Sequence, residues 1–599
     1  MNYQKYNFAN IDEEQLPIAK NKLHGGGHFA GLYAGEHVAA TEFVIGATFV
    51  ALGATTRDIL LGLLIGNILA ILSWTFITAP IAVKTRLSLY TYLGKIAGKS
   101  MTTIYNWANA LIFSVISAAM ITVSASAVRF LFHIPAQLNW YSTNIWFLLV
   151  VIGIGIVVVF VALYGFNTVA NFSSICAPWL FTLFISGAVV LLPVLSNHVI
   201  GTTVISSFKD FIHIGDLSIW KGVTDSGEKG IGLMEVIGFA WAANSITHVG
   251  LIDMAILRYA KKASYGLYTS FGMLFGHYLA WIAAGIMGAG AAVLLKSNIT
   301  ALDPGDVAYY ALGASGFVIV IVAGWTTANA NLYRAGLAAQ SIFHKHSRRK
   351  VTLIVGLITV VIACFPFVFS KILPLLTYAG LIVVPVGAIV ATEHFLFPKI
   401  GFTRYWAKYQ GLKISKPAVI TWGAALVFGF GLNALGIMSF YYLFIPTWFF
   451  SVILYSILSY FAGAKGDYTK EIKEEEEYQV AISEYQEDKA KTEPIPAIDR
   501  SLLSGVLKAI SYLCLLSIFG LALTCLLKSP NMDAYNTHKE FFNTWAFVLT
   551  IGYFVSAYWA LSRRLKLTKD QQRELDAAAS AANSNIVSEI DPDEAPIIL

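Results

Sequence analysis

Apolar residues run along this chain in blocks of about twenty, separated by short polar or basic stretches. The blocks fall at 30–53, 58–80, 103–131, 144–166, 168–194, 232–256, 264–295, 306–340, 351–370, 373–397, 418–438, 441–462, 503–528 and 541–562. A helix needs about 20 mostly apolar residues to cross a bilayer, so the pattern predicts an all-α integral membrane protein with about fourteen transmembrane helices. Two segments depart from it. Residues 85–100 mix basic, aromatic and apolar side chains and read as an amphipathic connector. Residues 464–500, which contain EIKEEEEYQ, read as a solvated charged helix with a linker.

Composition agrees with this reading. Of the 599 residues 57% are hydrophobic and only 13% charged, against about 25% charged in a soluble chain. The net charge of +6 is explained by where the basic residues lie. Lys84, Arg86, Lys95 and Lys99, then Arg258, Lys261 and Lys262, then Lys345, Arg348, Arg349 and Lys350 occupy alternate connections, and Arg563, Arg564, Lys566 and Lys569 follow the last block. Basic residues stay on the cytoplasmic side, so both termini are expected inside the cell, in the cell membrane. The charge is a topology signal and calls for no nucleic-acid partner. Cys176, Cys364, Cys514 and Cys525 all fall in apolar blocks without a C-x-x-C pair, so no zinc site or disulfide framework is expected. The first 25 residues lack the apolar core of a cleavable signal. No G-x-x-x-x-G-K-[ST] loop occurs, which argues against a primary pump, and no nucleophile–base set points to an enzyme.

Helices in lipid must satisfy their own backbone hydrogen bonds, and ionisable groups there are costly. Both rules are broken in two places. Span 1, GLYAGEHVAATEFVIGATFVALG, carries Glu36, His37 and Glu42 among glycines. Glu36 and His37 are also close enough to the cytoplasmic end to reach water. Span 6 carries Asn244, Ser245, Thr247, His248 and Gly250, followed by Asp253 and Arg258. Asp253 and Arg258 could simply pair, although a spacing of five suits one helix face poorly. The two weakened spans are five helices apart. Five is odd, so a five-helix repeat must reverse its orientation, and weakened helices at matching positions of inverted repeats point to a transporter binding site. Span 8 adds Thr326, Thr327, Asn329 and Asn331 within GWTTANANLYRAGLAA. These side chains can give neutral oxygens to Na⁺, hydrogen-bond a solute, or glue helices together.

Four stretches carry a family likeness: DILLGLLIGNILA in span 2, RYAKK closing span 6, WTTANANLYRAGLA in span 8, and LPLLTYAGLIVVPVGAIVATEHFLFPKIG in span 10. Over roughly 25–465 the chain resembles the nucleobase:cation symporter-1 (purine/cytosine permease) family. The resemblance implies a leucine-transporter-type core of two inverted five-helix repeats, and uptake of a small planar nitrogenous solute, a nucleobase such as cytosine or a purine, driven by Na⁺ or H⁺, without another cofactor. By that likeness the cation lies between the backbone near Glu42 and the hydroxyls of Thr326 and Thr327. Phe239 or Trp241 stacks on the solute ring and Asn329 or Asn331 reaches its polar edge, with Glu42 and Asn244 as further candidate substrate contacts. Gly380 and Pro385 are weak points of a gating helix 10, with Asp253 at the gate. Helix 3 offers only small residues and Met120 where family members often carry an aromatic, and Asp253 precedes Arg258 by five residues rather than three. Glu36, His37 and Glu42 are also unusual for the family. A carboxylate buried in apolar surroundings can hold a proton near neutrality, so proton coupling through Glu42, Glu36 or His37 is the alternative to Na⁺. The alternatives are an amino-acid or other small-solute transporter on the same fold, and a channel or membrane sensor. The expected plan is an N-terminal segment 1–28, a core 29–397 with repeats 29–194 and 232–397, helices 11–12 over 398–463, a charged linker 464–500, two extra helices in 501–563, and a tail 564–599.

Overall fold

The computed structural model describes residues 5–135, 137, 139–299, 302–370, 372–491 and 498–589. Residues 1–4 and 590–599 of the expected terminal segments, and 492–497 of the linker, lie outside the described residues. In chain order the elements are α1 (Gly26–His37), α2 (Glu42–Ala51), α3 (Thr56–Thr85), α4 (Lys99–Leu131), α5 (Ile145–Leu163), α6 (Phe166–Ile200), α7 (Leu233–Ala242), α8 (Ser245–His248), α9 (Met254–Leu257), α10 (Ala263–Leu295), α11 (Ala314–Ile342), α12 (Arg348–Ala363), α13 (Ile372–Ala391), α14 (Lys416–Ala434), α15 (Phe444–Phe461), α16 (Thr469–Ala490), α17 (Leu502–Leu527) and α18 (Met532–Glu589).

Among the described residues, eleven helices are long and apolar enough to cross a membrane. The other three of the fourteen expected spans are built differently. Span 9 is the 16-residue α12. Spans 1 and 6 are each broken in the middle, at α1/α2 and at α7/α8/α9. The breaks need no proline. At the first, Val38 leaves helical geometry (φ −94°, ψ 66°) and α2 restarts at Glu42. The break strands the last carbonyls of α1, and the hydroxyl of Thr327 donates to one of them, the Glu36 oxygen, at 2.7 Å. At the second, Asn244 and the left-handed Leu251 (φ 63°) bracket the single turn α8. A side chain at Gly250 would lie 2.4 Å from the Ile246 oxygen, and one at Gly387 only 2.0 Å from the Val249 oxygen. The unwound strand is thus laid backbone-to-backbone on α13.

The centre of the bundle is the packing of α4 along α11. Small residues permit it: a Cβ on Gly324 would meet Ser124 Oγ at 1.9 Å, and Ser117 Oγ donates to the Ala328 oxygen at 2.9 Å. Close backbone approach through small and hydroxylated residues is how helices associate without a hydrophobic drive. The two extra C-terminal helices pack on α6. Trp179 Nε1 donates to Thr550 Oγ1 at 2.9 Å, and the Tyr553 hydroxyl to the Ile175 oxygen at 2.6 Å.

The charged helix α16 is docked. It buries Ala481 and Ile482 against Phe8 and Leu16 of the N-terminal segment. Glu475 takes Lys95 at 2.8 Å and also Lys408. Burial pushes the Glu475 carboxyl up, but the two ammonium groups outweigh it and hold it below the usual carboxylate range. A carboxylate lowered in this way favours the docked state above its ordinary range, and that contribution is lost as pH falls through the lowered value.

Candidate substrate and ion site at the broken helices

The two breaks face each other across a cavity of about 90 Å³. Glu36, His37 and Glu42 line it from α1 and α2, Asn244 and Thr247 from the second break, and Thr327 and Asn331 from α11. His277 and Trp281 reach it from α10, and Phe113 and Met120 from α4. The volume suits a solute smaller than a drug-sized ligand.

Next to the cavity lies a fully buried charge cluster. Arg334 of α11, with no exposed surface, grips Glu36 with both terminal nitrogens, one at 3.1 Å, and reaches Asp253 at 2.6 Å. Asp253 also accepts from Trp74 Nε1 at 2.7 Å and from the Tyr33 hydroxyl at 3.1 Å. One guanidinium therefore ties the end of α1, the unwound strand after α8, and α11. Asp253 does not pair with Arg258, whose own carboxylate partner is Glu14 of the N-terminal segment.

Helix α11 meets the first break through the Thr327 hydroxyl. Thr326 Oγ1 donates to the Ala323 oxygen at 3.0 Å. Thr327 Oγ1 lies 3.2 Å from that same oxygen and 2.7 Å from the Glu36 oxygen. The α1 carbonyl involved belongs to Glu36, which corrects the expectation that the backbone near Glu42 meets these hydroxyls. The reason is the break, which turns the stranded C-terminal carbonyls of α1, rather than the start of α2, toward α11.

Other expectations are also redirected. Trp241 leaves the cavity to donate to Ser73 Oγ at 3.1 Å and to pack edge-on against Phe444 of α15. Phe239 is held among Phe49, Trp281 and Tyr441. Neither lines the cavity, because α7 turns that face toward α2, α3 and α15. Asn329 is 1% exposed, both its amide atoms lack a hydrogen-bond partner, and it does not line the cavity. Gly380 abuts Ser245, where a Cβ would meet the Ser245 hydroxyl at 2.6 Å, and Pro385 lies inside α13. Helix α13 thus runs over the second break, and its Leu376 lines the cavity. Sequence reasoning passed over Arg334, His277 and Trp281. An arginine and a histidine inside apolar spans were signals in themselves.

No protein-family model and no curated protein sequence matches the chain. Its backbone does match solved structures. Mhp1, a nucleobase-cation-symport-1 family transporter in a closed conformation with bromovinylhydantoin bound, matches with a TM-score of 0.57 at 14% identity, over 76% of this chain and 96% of that one. The chain shares the Mhp1 fold. Mhp1 in its inward-facing conformation matches with a TM-score of 0.55 at 13% identity, over 75% and 93% of the two chains. A Na⁺-coupled sialic acid symporter in a substrate-bound outward-open state matches with a TM-score of 0.50 at 13% identity, over 76% and 92%. At these identities the likeness is one of fold. The Mhp1 fold is the leucine-transporter-type architecture that the family resemblance implies.

Proposed function

We propose that the protein is a Na⁺-coupled symporter that imports a small planar nitrogenous solute by alternating access. The observation that carries this reading is the convergence of two helix breaks on one cavity, with the Thr327 hydroxyl at its edge lying between the Glu36 and Ala323 oxygens. Neutral hydroxyl and carbonyl oxygens suit a hard cation, and the stranded carbonyls at the end of α1 add the negative pole of a helix dipole. Na⁺ is assigned to the hydroxyls of Thr326 and Thr327 and the oxygens of Ala323 and Glu36.

The solute is assigned to the adjoining cavity. Glu42, Glu36 and Asn244 offer acceptors to ring N–H groups, Asn331 sits at the polar edge, and Trp281 with Phe113 supplies the aromatic surface first sought at Phe239 and Trp241. An acidic lining favours a neutral nitrogen heterocycle over an anion. Mhp1 holds a hydantoin in its closed structure, which supports the same chemical class. In this reading α13, weakened at Gly380 and Pro385, closes over the solute, and the Arg334 cluster holds α1 and the Asp253 strand together on the other side. The clusters of basic residues support a cytoplasmic location for both termini.

Thermal unfolding of the purified full chain tests the reading, with bromovinylhydantoin, cytosine, uracil and hypoxanthine each measured in NaCl and in choline chloride. Ligand at about 100 times its Kd stabilises by about 2.7 kcal/mol. At least one heterocycle is expected to raise the melting temperature, and more in Na⁺ than in choline. Amino acids shifting the melt while every heterocycle fails would assign the fold to a different solute.

A further inference from the structure

The cavity contains a second polar arrangement that the sodium-type cluster leaves unused. Glu42 opens the first turn of α2 with its side chain 2% exposed. Trp281 Nε1 donates to its carboxylate, and His277 Nε2 faces it at 3.9 Å. On the other side of the imidazole, His277 Nδ1 lies 3.1 Å from Asn244 Nδ2. An amide NH₂ only donates, so Nδ1 accepts, and the proton of the neutral ring sits on Nε2, toward Glu42. The three groups come from α2, α10 and the second break, three elements whose relative positions must change when such a site opens and closes.

The local backbone is built to bring them together. From Phe271 to Leu279 α10 is a π-helix, which carries an extra residue per turn and recurs at functional sites. It leaves the rings of His277 and Trp281 stacked at 4.3 Å and 17°. Gly276 lets α10 touch the end of α1, where a Cβ would lie 2.3 Å from the His37 oxygen.

We propose that Glu42 and His277 together form a proton-binding site, and that the proton they hold is carried with the solute. The carriage rests on the transport reading above; the binding of the proton does not. Unloaded, the pair is a carboxylate and a neutral imidazole with a net charge of −1. Loaded with one proton it is neutral, either as carboxylic acid with imidazole or as carboxylate with imidazolium. In the second form Nδ1 also carries a proton, and Asn244 must turn its carbonyl oxygen toward it. The proton state is thereby linked to the second break.

No permanent cation answers Glu42. The guanidinium of Arg334 is engaged by Glu36 and Asp253, and among the described residues no lysine or arginine forms an ion pair with Glu42. The titratable groups facing the pair are His37 of α1, whose ring lies 5.1 Å from that of His277, and Glu36. From the second break, His248 turns its Nε2 away to the Trp241 oxygen at 2.9 Å. On α6 the side chain packed against α2 is Phe184, which contacts Phe43. A net charge held inside the membrane is costly, so the closed site suits the loaded pair, and opening to water allows release.

Infrared difference spectra of the full chain in lipid nanodiscs, pH 5 minus pH 8, test the binding without any solute. The wild type is expected to show either a protonated-carboxyl band or an imidazolium ring band, and both Glu42→Gln and His277→Gln remove it while keeping wild-type helicity. A spectrum unchanged by both substitutions would overturn the proposal. Uptake of labelled cytosine and bromovinylhydantoin into proteoliposomes then tests carriage. An inward pH gradient is expected to speed wild-type uptake several-fold and to leave the uptake of His277→Gln, a residue with no assigned solute contact, indifferent. Wild-type uptake that ignores the pH gradient would overturn carriage. If the wild type takes up neither probe, the solute assignment fails, while the infrared result still decides the proton site.

Discussion

Replacing Arg334 with methionine is expected to cause the largest loss of any single substitution in the chain. It leaves Glu36 and Asp253 buried without their cation. Removing one partner of a buried ion pair costs about 3–5 kcal/mol, because the remaining charge is uncompensated. Here two carboxylates are stranded, so little folded protein and no transport should remain. Arg334→Lys should fold but lose at least about tenfold in uptake, since an ammonium cannot span two carboxylates with the planar fork of a guanidinium. The decisive comparison is Arg334→Met combined with Glu36→Gln and Asp253→Asn. With the charges removed together, thermal stability in detergent should return toward the wild type while transport stays absent. If Arg334→Met alone melts like the wild type, the cluster does not have the structural weight assigned to it.

The second large effect concerns the cation. Thr326→Val with Thr327→Val keeps the shape of both side chains and removes both hydroxyls. Each buried hydroxyl ligand is worth about 1–3 kcal/mol when its partner depends on it. The half-saturating Na⁺ concentration for uptake should therefore rise by about tenfold or more, with the preference among solutes unchanged. Thr327→Ser restores one oxygen and should recover part of the loss. A double variant with wild-type Na⁺ dependence would place the ion elsewhere.

The fold was legible because two of its features are written in local composition. Long apolar blocks marked the helices, and the glycine and polar residues of spans 1 and 6 marked the breaks at an odd spacing. What stayed hidden depended on rotation about helix axes. Trp241 and Phe239 lie on the right helix, yet its orientation sends them to Ser73, Phe444 and Tyr441. Conversely, a π-helix that no residue pattern announces carries His277 into the cavity, and Trp281 joins it from the α-helical turn that follows. Asp253 suits Arg258 poorly by spacing, and its actual partner, Arg334, lies 81 residues away on α11. Ion pairs within one helix can be guessed from spacing, but those between helices cannot. The carboxylates of span 1 were recognised as unusual, and the structure divides them between two tasks. Glu36 neutralises Arg334 and lends its carbonyl to Thr327, whereas Glu42 faces a histidine and an indole and, among the described residues, no lysine or arginine.

The central claim is that solute movement through this fold is driven by an ion gradient. The direct measurement is uptake of labelled cytosine and bromovinylhydantoin by the purified full chain in proteoliposomes, with an inward Na⁺ gradient, with equal Na⁺ on both sides, and without Na⁺. The expected result is saturable accumulation above the external concentration under the gradient, only equilibration with balanced Na⁺, and the slowest entry without it. Non-saturating flux that is indifferent to the Na⁺ and proton gradients and far above transporter turnover, or solute-gated conductance of that size, would contradict the account and identify a channel.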